Sequence, residues 1–350
     1  VATAGGGKLE RHDGVRVLYL RGTPEEMGQQ HGKLLGDAVR EVVNRLVYGV
    51  GITSSFPKGR WFFDEIEEAR RRASPFVGDR YHREMDALAD ATGLHRAEIH
   101  VANYFPELFH CSGFALFGET TADGRLYHGR ILDYLRGMGL EQNAVVTVLR
   151  PDGRNAWVNL GYAGFLGSVT AMNEHGVAIG EMGGSSPGDW DGMPMAQLVR
   201  EVMETAENLD EAVRLMRETP RTCEYYYVVS DGKTNDAVGI RATPDSFETV
   251  RPEETHRLLP EHVPDAVLLS AGDRYDHLVK AVREHYGTLG AESAWQLMDR
   301  PVAMGSNIQT ALFRPETLDF WVANAGPDAI ATRSRATRFN LDDLLERMPE

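Results

Sequence analysis

At Cys111 the sequence changes character. Ahead of it, apolar residues recur at helical spacing over long stretches. From it onward they fall into short β-rich runs separated by turn signals. A fold built on this chain must therefore join a mostly helical first part to a sheet-forming second part, with a thiol at the junction.

Before the junction, GVRVLYLRG at 14–22 reads as an opening strand. A long helix is expected next, with Thr23 as N-cap, Pro24 at its first position and Glu26 completing a capping box. Gly28 and Gly32 share one side of that helix, which predicts a close packing contact rather than a ligand site. Residues 60–91 and 94–108 are again helical in composition, the second stretch with a cap-like Thr92 and a break at Pro106. The glycines of AGGGK at 4–8 read as a flexible end.

After the junction, CSGFALFGETTADGRLYHGRILDY reads as strand, turn and strand. Further short strands run to GEMGG, with turns at PDGR and NEHG. Residues 193–218 form one or two amphipathic helices. A strand pair around 224–249, a Pro- and Glu-rich loop to about 264, two more helices and the hairpin NIQTALFRPETLDFWVANAG complete the chain. Strands, then helices, then strands predict an α+β layered arrangement of antiparallel sheets with helices on their faces.

With 37 Lys and Arg against 52 Asp and Glu, the formal charge is -15, which argues against binding nucleic acid or an anionic membrane. No apolar run is long enough to span a membrane, and the first residues lack the apolar core of a signal peptide. A cytoplasmic location is expected, and the missing initiating Met leaves a secreted one open. The two cysteines, Cys111 and Cys223, exclude a disulfide scaffold and a thiolate zinc site; one disulfide between them is formally allowed. Cys223, inside an aromatic and β-branched run, reads as a small buried hydrophobe. HExxH, GxSxG, GxxxxGK[ST] and GxGxxG are absent, the histidines are scattered, and neither a metal nor a cofactor is expected.

Arg130 and Asp133 follow Cys111 at a distance that one hairpin can close. A nearby guanidinium favours a thiolate, and the aspartate can accept from an amine or from Arg130. On spacing alone, an ordinary ion pair and a core cysteine are the better account of these residues. His110 adjoins Cys111, but neighbours on an extended strand point to opposite faces, which makes it a poor base.

The stretches RGTPEEMGQQHG, CSGFALFGETTADGRLYHGRILDY, GYAGFLGSVTAMNEHGVAIGEM, EYYYVVSDG and SNIQTALFRPETLDFWVA together resemble the penicillin acyltransferase-like (peptidase C45-type) cysteine N-terminal-nucleophile hydrolases, relatives of choloylglycine and penicillin V hydrolases. The resemblance implies a four-layer αββα fold. It also implies a precursor that cuts itself between His110 and Cys111 into segments 1–110 and 111–350, which remain one structural domain. The new α-amine of Cys111 would serve as general base. The thiol would attack a linear amide of a small acylated metabolite or peptide through a thioester, with Arg130 and Asp133 holding the cysteine and its amine.

Where relatives carry an oxyanion-side Asn in the hairpin ending GEM, this chain has Glu181, which cannot donate when ionised and suits a substrate amine. Where many relatives have an amide-bearing dipeptide, it has Ser270, Ala271 and Gly272. Ser270 and Asn307 are the substitute donors, and Tyr134 and Tyr162 are substrate-contact candidates. Phe114, Phe117, Phe165 and Tyr225 to Tyr227 read mainly as sheet core, and an apolar or aromatic acyl group follows if two of the aromatics line the pocket. Asp273 and Arg274 read as a helix cap. Three alternatives stand beside this reading. One is an acyltransferase or amide-forming enzyme in which an amine accepts the acyl group. Another is a non-catalytic binding protein. The last is an unprocessed Cys-His hydrolase using His128 or His175. A small-molecule amide or acyl-amine is the expected partner, and homodimerisation is a further option.

Overall fold

The computed structural model describes residues 1–50, 62–104, 111–134, 136–184 and 189–349. His110, the start of the helical stretch expected at 60 and the end of the one expected at 94–108 lie outside the described residues.

Sixteen described strands form two sheets. The larger holds β1 (Ala2–Ala4), β2 (Gly7–His12), β3 (Val15–Gly22), β6 (Ala144–Pro151), β7 (Trp157–Tyr162), β8 (Thr170–Asn173), β9 (Val177–Gly183), β10 (Tyr225–Asp231), β11 (Asp236–Ala242) and β12 (Phe247–Val250), in that spatial order. The smaller runs β13 (Ala266–Leu269), β4 (Ser112–Leu116), β5 (Tyr127–Asp133), β14 (Asn307–Arg314), β15 (Asp319–Asn324) and β16 (Thr337–Asn340). Helices α1 (Pro24–Asn44), α2 (Phe62–Ala73), α3 (Asp79–Thr92), α4 (Arg96–Asn103), α5 (Met195–Thr205) and α6 (Leu209–Glu218) belong to the layer over the larger sheet. Helices α7 (Asp273–Glu284) and α8 (Ala291–Leu297) cover the smaller one, and α9 (Leu341–Glu346) closes the chain. This is the expected αββα order of layers.

Alternation along the strands builds the layers. In β3, Leu18 and Leu20 join Met27, Val39 and Leu88 in the core under the helices. Val17 and Tyr19 turn the other way, into a second core with Phe313 and Phe320 of the smaller sheet. Thr23 and Glu26 form the capping box that starts α1. The two glycines of α1 meet α3: a Cβ at Gly28 would collide with the Glu84 carbonyl, and one at Gly32 would lie 2.5 Å from Ala91 Cβ. The close packing contact read from their spacing is therefore what they make.

Several expectations need correction. The smaller sheet is wholly antiparallel, but in the larger one β3 runs parallel to β6. Residues 4–8 are no loose end, because Ala4 pairs with Gly7 in the hairpin of β1 and β2. The stretch 60–91 is two helices, parted around Pro75 and Gly78, and His95 rather than Thr92 caps α4. The strand pair expected at 224–249 is three strands, β10 to β12. Cys111 and Cys223 are both buried and are not joined in a disulfide.

Candidate active site

Cys111 stands at the head of β4, between the two sheets, and is buried. Its Sγ donates to the Asp133 carbonyl oxygen at 3.9 Å. It also lines a cavity of about 250 Å³ that Met182, Tyr226, Arg241, His256 and the turn Ser270–Gly272 help enclose.

Arg130 and Asp133 do not pair with each other as side chains. Three residues apart on one strand, they emerge on opposite faces of β5. Arg130 faces the larger sheet, where its Nη2 lies 3.5 Å from Glu181 Oε2, both side chains being buried. Gly180 makes room for it: a Cβ there would sit 3.0 Å from Arg130 Cγ. Asp133 faces the outer helices. Its Oδ2 accepts from Arg274 Nη1 at 2.9 Å and its Oδ1 from the Met304 N–H at 3.1 Å. Burial pushes the Asp133 carboxyl up to about 6, against the Met304 N–H, Arg274 and Arg130, which all act to lower it.

Arg274 is the residue that sequence reasoning undervalued. Beyond Asp133, its Nη1 reaches Ser112 Oγ at 3.3 Å and the Val302 carbonyl at 3.3 Å, and Ser112 Oγ shares a hydrogen with Ser270 Oγ at 2.7 Å. One guanidinium on the first turn of α7 thus ties together the residue after Cys111, the Asp133 carboxylate and the Ser270 turn.

The other candidates divide. Ser270 lines the Cys111 cavity, but its hydroxyl is engaged with Ser112. Asn307 lies elsewhere in its function: it donates both amide hydrogens, to the Leu132 carbonyl at 3.1 Å and the Gln309 carbonyl at 3.0 Å. Its oxygen accepts from Thr310 Oγ1 and the Thr332 N–H. It secures the irregular register between β14 and β5, and this commitment removes it as a substitute donor. Tyr134 and Tyr162 are not among the residues lining the Cys111 cavity. With Phe165, Leu132, Val42 and Met195 they line a second, apolar cavity of about 80 Å³.

Neither histidine of the Cys-His alternative meets Cys111. His128 pairs with Ala115, four residues along β4 from the cysteine, or roughly 13 Å on an extended strand. Its Nδ1 lies 2.7 Å from Ser230 Oγ, and burial, together with Arg130, pushes it down to about 3, so the ring is neutral. His175 sits in the turn after β8 beside Lys233. His256, which the sequence did not single out, does line the cavity. Its Nε2 is 2.7 Å from Glu248 Oε2, and its Nδ1 accepts from the Leu258 N–H.

Comparison with known proteins bears on this geometry. The family model described as acyl-coenzyme A:6-aminopenicillanic acid acyl-transferase matches residues 123–259. Protein dcd1A of Dictyostelium discoideum is 26% identical over 284 residues, covering 71% of this chain and 63% of the relative. The N-acylethanolamine-hydrolyzing acid amidase of Rattus norvegicus is 24% identical over 196 residues, or 53% of each chain. The chain thus spans between half and two thirds of the length of these curated relatives. Among solved structures, the Caenorhabditis elegans N-acylethanolamine-hydrolyzing acid amidase ortholog is similar at 15% identity and a TM-score of 0.48, covering 65% of this chain and 100% of that one. Among the described residues, no helix is long and apolar enough to cross a membrane.

Proposed function

We propose that this chain, which belongs to the penicillin acylase-like superfamily of N-terminal-nucleophile hydrolases, is a self-processing amidase or acyltransferase with Cys111 as its nucleophile. The observation that carries the reading is the setting of that thiol. It opens a strand between the sheets, faces a cavity, and has a guanidinium–carboxylate pair on each face of the neighbouring strand, the one toward the larger sheet fully buried.

In the first step the Cys111 thiol attacks the His110 carbonyl carbon, the peptide C–N bond breaks, and the acyl group moves to sulfur. Water then cleaves that ester and leaves Cys111 with a free α-amine, whose ordinary pKa of about 7.7–8.0 suits a base near neutral pH. In turnover the amine takes the thiol proton and the sulfur attacks the substrate carbonyl. The same proton leaves with the departing amine, and a thioester remains. Water releases a carboxylic acid, or a second amine takes the acyl group. The first outcome is hydrolysis of the kind named for the amidase relatives. The second is the transfer named by the matching family model.

In this reading Asp133, whose carboxylate Arg274 and the Met304 N–H hold, receives the ammonium of the mature Cys111. Arg130 supplies positive potential on the thiol side and Glu181 balances it. An ionised Glu181 has no proton to donate, Asn307 has donated both of its own, and Ser270 is shared with Ser112. The oxyanion is therefore assigned to backbone N–H groups of the Ser270–Gly272 turn.

Denaturing intact mass spectrometry of the purified chain and of Cys111→Ala tests the reading. Fragments of 110 and 240 residues from the first, and one intact chain from the second, are expected. An intact chain from both removes the amine base and with it this mechanism.

A further inference from the structure

The Cys111 cavity extends from the thiol toward the β12 edge of the larger sheet. Met182, Tyr226 and Arg241 stand side by side on β9, β10 and β11, and all three line it. The row begins against the nucleophile's strand: a Cβ at Gly113, two residues after Cys111, would meet Met182 Sδ at 3.5 Å. It ends two strands away, at Arg241. Neighbouring strands are about 4.8 Å apart, so the Arg241 Cα lies roughly 10 Å from that of Met182. Met182, Val250, Leu259 and Leu269 make much of the wall apolar.

Most polar groups on that wall are already engaged. His256 Nδ1 accepts from the Leu258 N–H, so its Nε2 carries the proton and donates to Glu248 Oε2 at 2.7 Å. Ser270 Oγ is shared with Ser112, and the Tyr226 hydroxyl donates to Glu224 Oε1 at 3.0 Å. Arg241 donates through Nε to Glu224 Oε1 at 2.8 Å and through Nη1 to Glu248 Oε1 at 2.5 Å. Its Nη2 lies 2.7 Å from Glu224 Oε1. A guanidinium has five N–H groups and no acceptor, so three contacts leave it with hydrogens to donate. Glu224 and Glu248 do not line the cavity. Among the described residues that do, Arg241 is the one Lys, Arg, Asp or Glu. Two carboxylates thus pin the guanidinium from outside, and the cavity itself presents a fixed cationic donor.

Resting on the function proposed above, we propose that Arg241 receives a carboxylate on the amine half of the substrate, separated by an apolar spacer from the amide that Cys111 attacks. A carboxylate matches the guanidinium in charge and in shape, whereas an ammonium meets no Asp or Glu among the described residues of the wall. The distance sets the spacer. In an N-acyl α-amino acid the carboxylate carbon is one residue from the amide carbon, at most about 3.6 Å, which falls short. A chain of five methylenes extends the span to roughly 8 Å and lays apolar surface on the apolar wall. The acyl half has its own apolar surface in the second cavity, whose walls include Leu132 and Tyr134, the residues on either side of Asp133. A charge-assisted hydrogen bond to a guanidinium already held in place is worth roughly a factor of ten in affinity.

Titration calorimetry of the unmodified chain tests this with three uncleavable benzylsulfonyl amides. They are those of 6-aminohexanoate, of its neutral primary carboxamide and of glycine. The hexanoate probe is expected to bind about tenfold more tightly than either of the others. Arg241→Met is expected to bring the hexanoate and carboxamide probes to equal affinity or to reverse their order. Glu248→Gln is expected to raise the hexanoate preference several-fold, because it removes a carboxylate that competes for the guanidinium. That position is on the edge strand and more than a third exposed, so the fold tolerates it. A carboxamide or glycine probe that binds the unmodified chain as tightly as the hexanoate, a preference that neither variant moves, or no binding of any probe overturns the inference. Binding needs no turnover, so a hexanoate preference in a chain that cleaves no amide would sink the proposed function and leave the subsite standing. Cleavage without that preference would do the reverse.

Discussion

Among the described residues, two clusters pair arginine with glutamate in full burial, and they are built differently. Under the helices, Arg200 of α5 donates to Glu84 of α3 at 2.6 Å, to Glu204 at 2.7 Å and to the Leu166 carbonyl at 2.9 Å. Its guanidinium lies 4.9 Å from the ring centre of Tyr81 and 5.8 Å from that of Trp157, and Arg80 joins Glu204 from the other side. Between the sheets, Arg130 meets Glu181 at a longer 3.5 Å. Burial is equal and the residue types are the same. The first cluster is closed on itself and bridges segments from both sides of the junction at Cys111, as a clamp should. The second joins its two members at the longer distance, on the strand paired with the one that Cys111 heads. Burial acts to lower the Arg200 pKa, yet Glu84 and Glu204 raise it overall, so its charge is permanent.

The comparison breaks first, if it breaks, at Arg200. Arg200→Met leaves Glu84 buried without its paired cation and Glu204 with Arg80 alone, and about 3–5 kcal/mol of unfolding free energy should be lost in urea titration. A loss below about 1 kcal/mol would mean that the cluster contributes specificity rather than stability. Because Glu84 precedes Cys111 and Arg200 follows it, the same variant should let fragments 1–110 and 111–350 separate more readily after processing.

Arg130→Met should do less to the fold and more to the chemistry. The longer pair has less to lose, about 1–3 kcal/mol. Appearance of the 110- and 240-residue fragments, followed by mass spectrometry, should slow at least a hundredfold. Processing at the normal rate would reduce Arg130 to a sheet-packing residue and make the two clusters alike.

What the sequence made legible follows from how far each signal reaches. The helical-to-β change at Cys111, the capping box at Thr23 and the glycine contact of α1 are local, and each appears in the fold. The parallel pairing of β3 with β6 joins segments far apart in the chain, and no periodicity announces it. Arg130 and Asp133 held a signal that went unused. An odd spacing on a strand sends two side chains to opposite faces, so they could not be mutual partners, and Glu181 and Arg274 take those places. Arg274 looked like a helix cap because its role depends on where α7 lands against β5. Arg241 and His256 were silent for the same reason: only the order of strands brings them to Cys111.

The smallest effect separates Arg274 from Arg130. Asp133 has its carboxyl pushed up to about 6 by burial, with the Met304 N–H, Arg274 on α7 and Arg130 on its own strand acting in the opposite direction. If the ionised carboxylate holds the Cys111 amine, activity should rise with pH through about 6 as Asp133 loses its proton. Arg274→Met removes one cation, disfavours the carboxylate and should move that midpoint upward, while activity well above it falls only several-fold. Arg274→Lys should return the midpoint most of the way, since it restores charge without the planar fork. A role confined to packing would lower activity equally at every pH and leave the midpoint where it was. A pH profile of amide cleavage for the three proteins therefore tells whether Arg274 sets the ionisation of Asp133 or only its position.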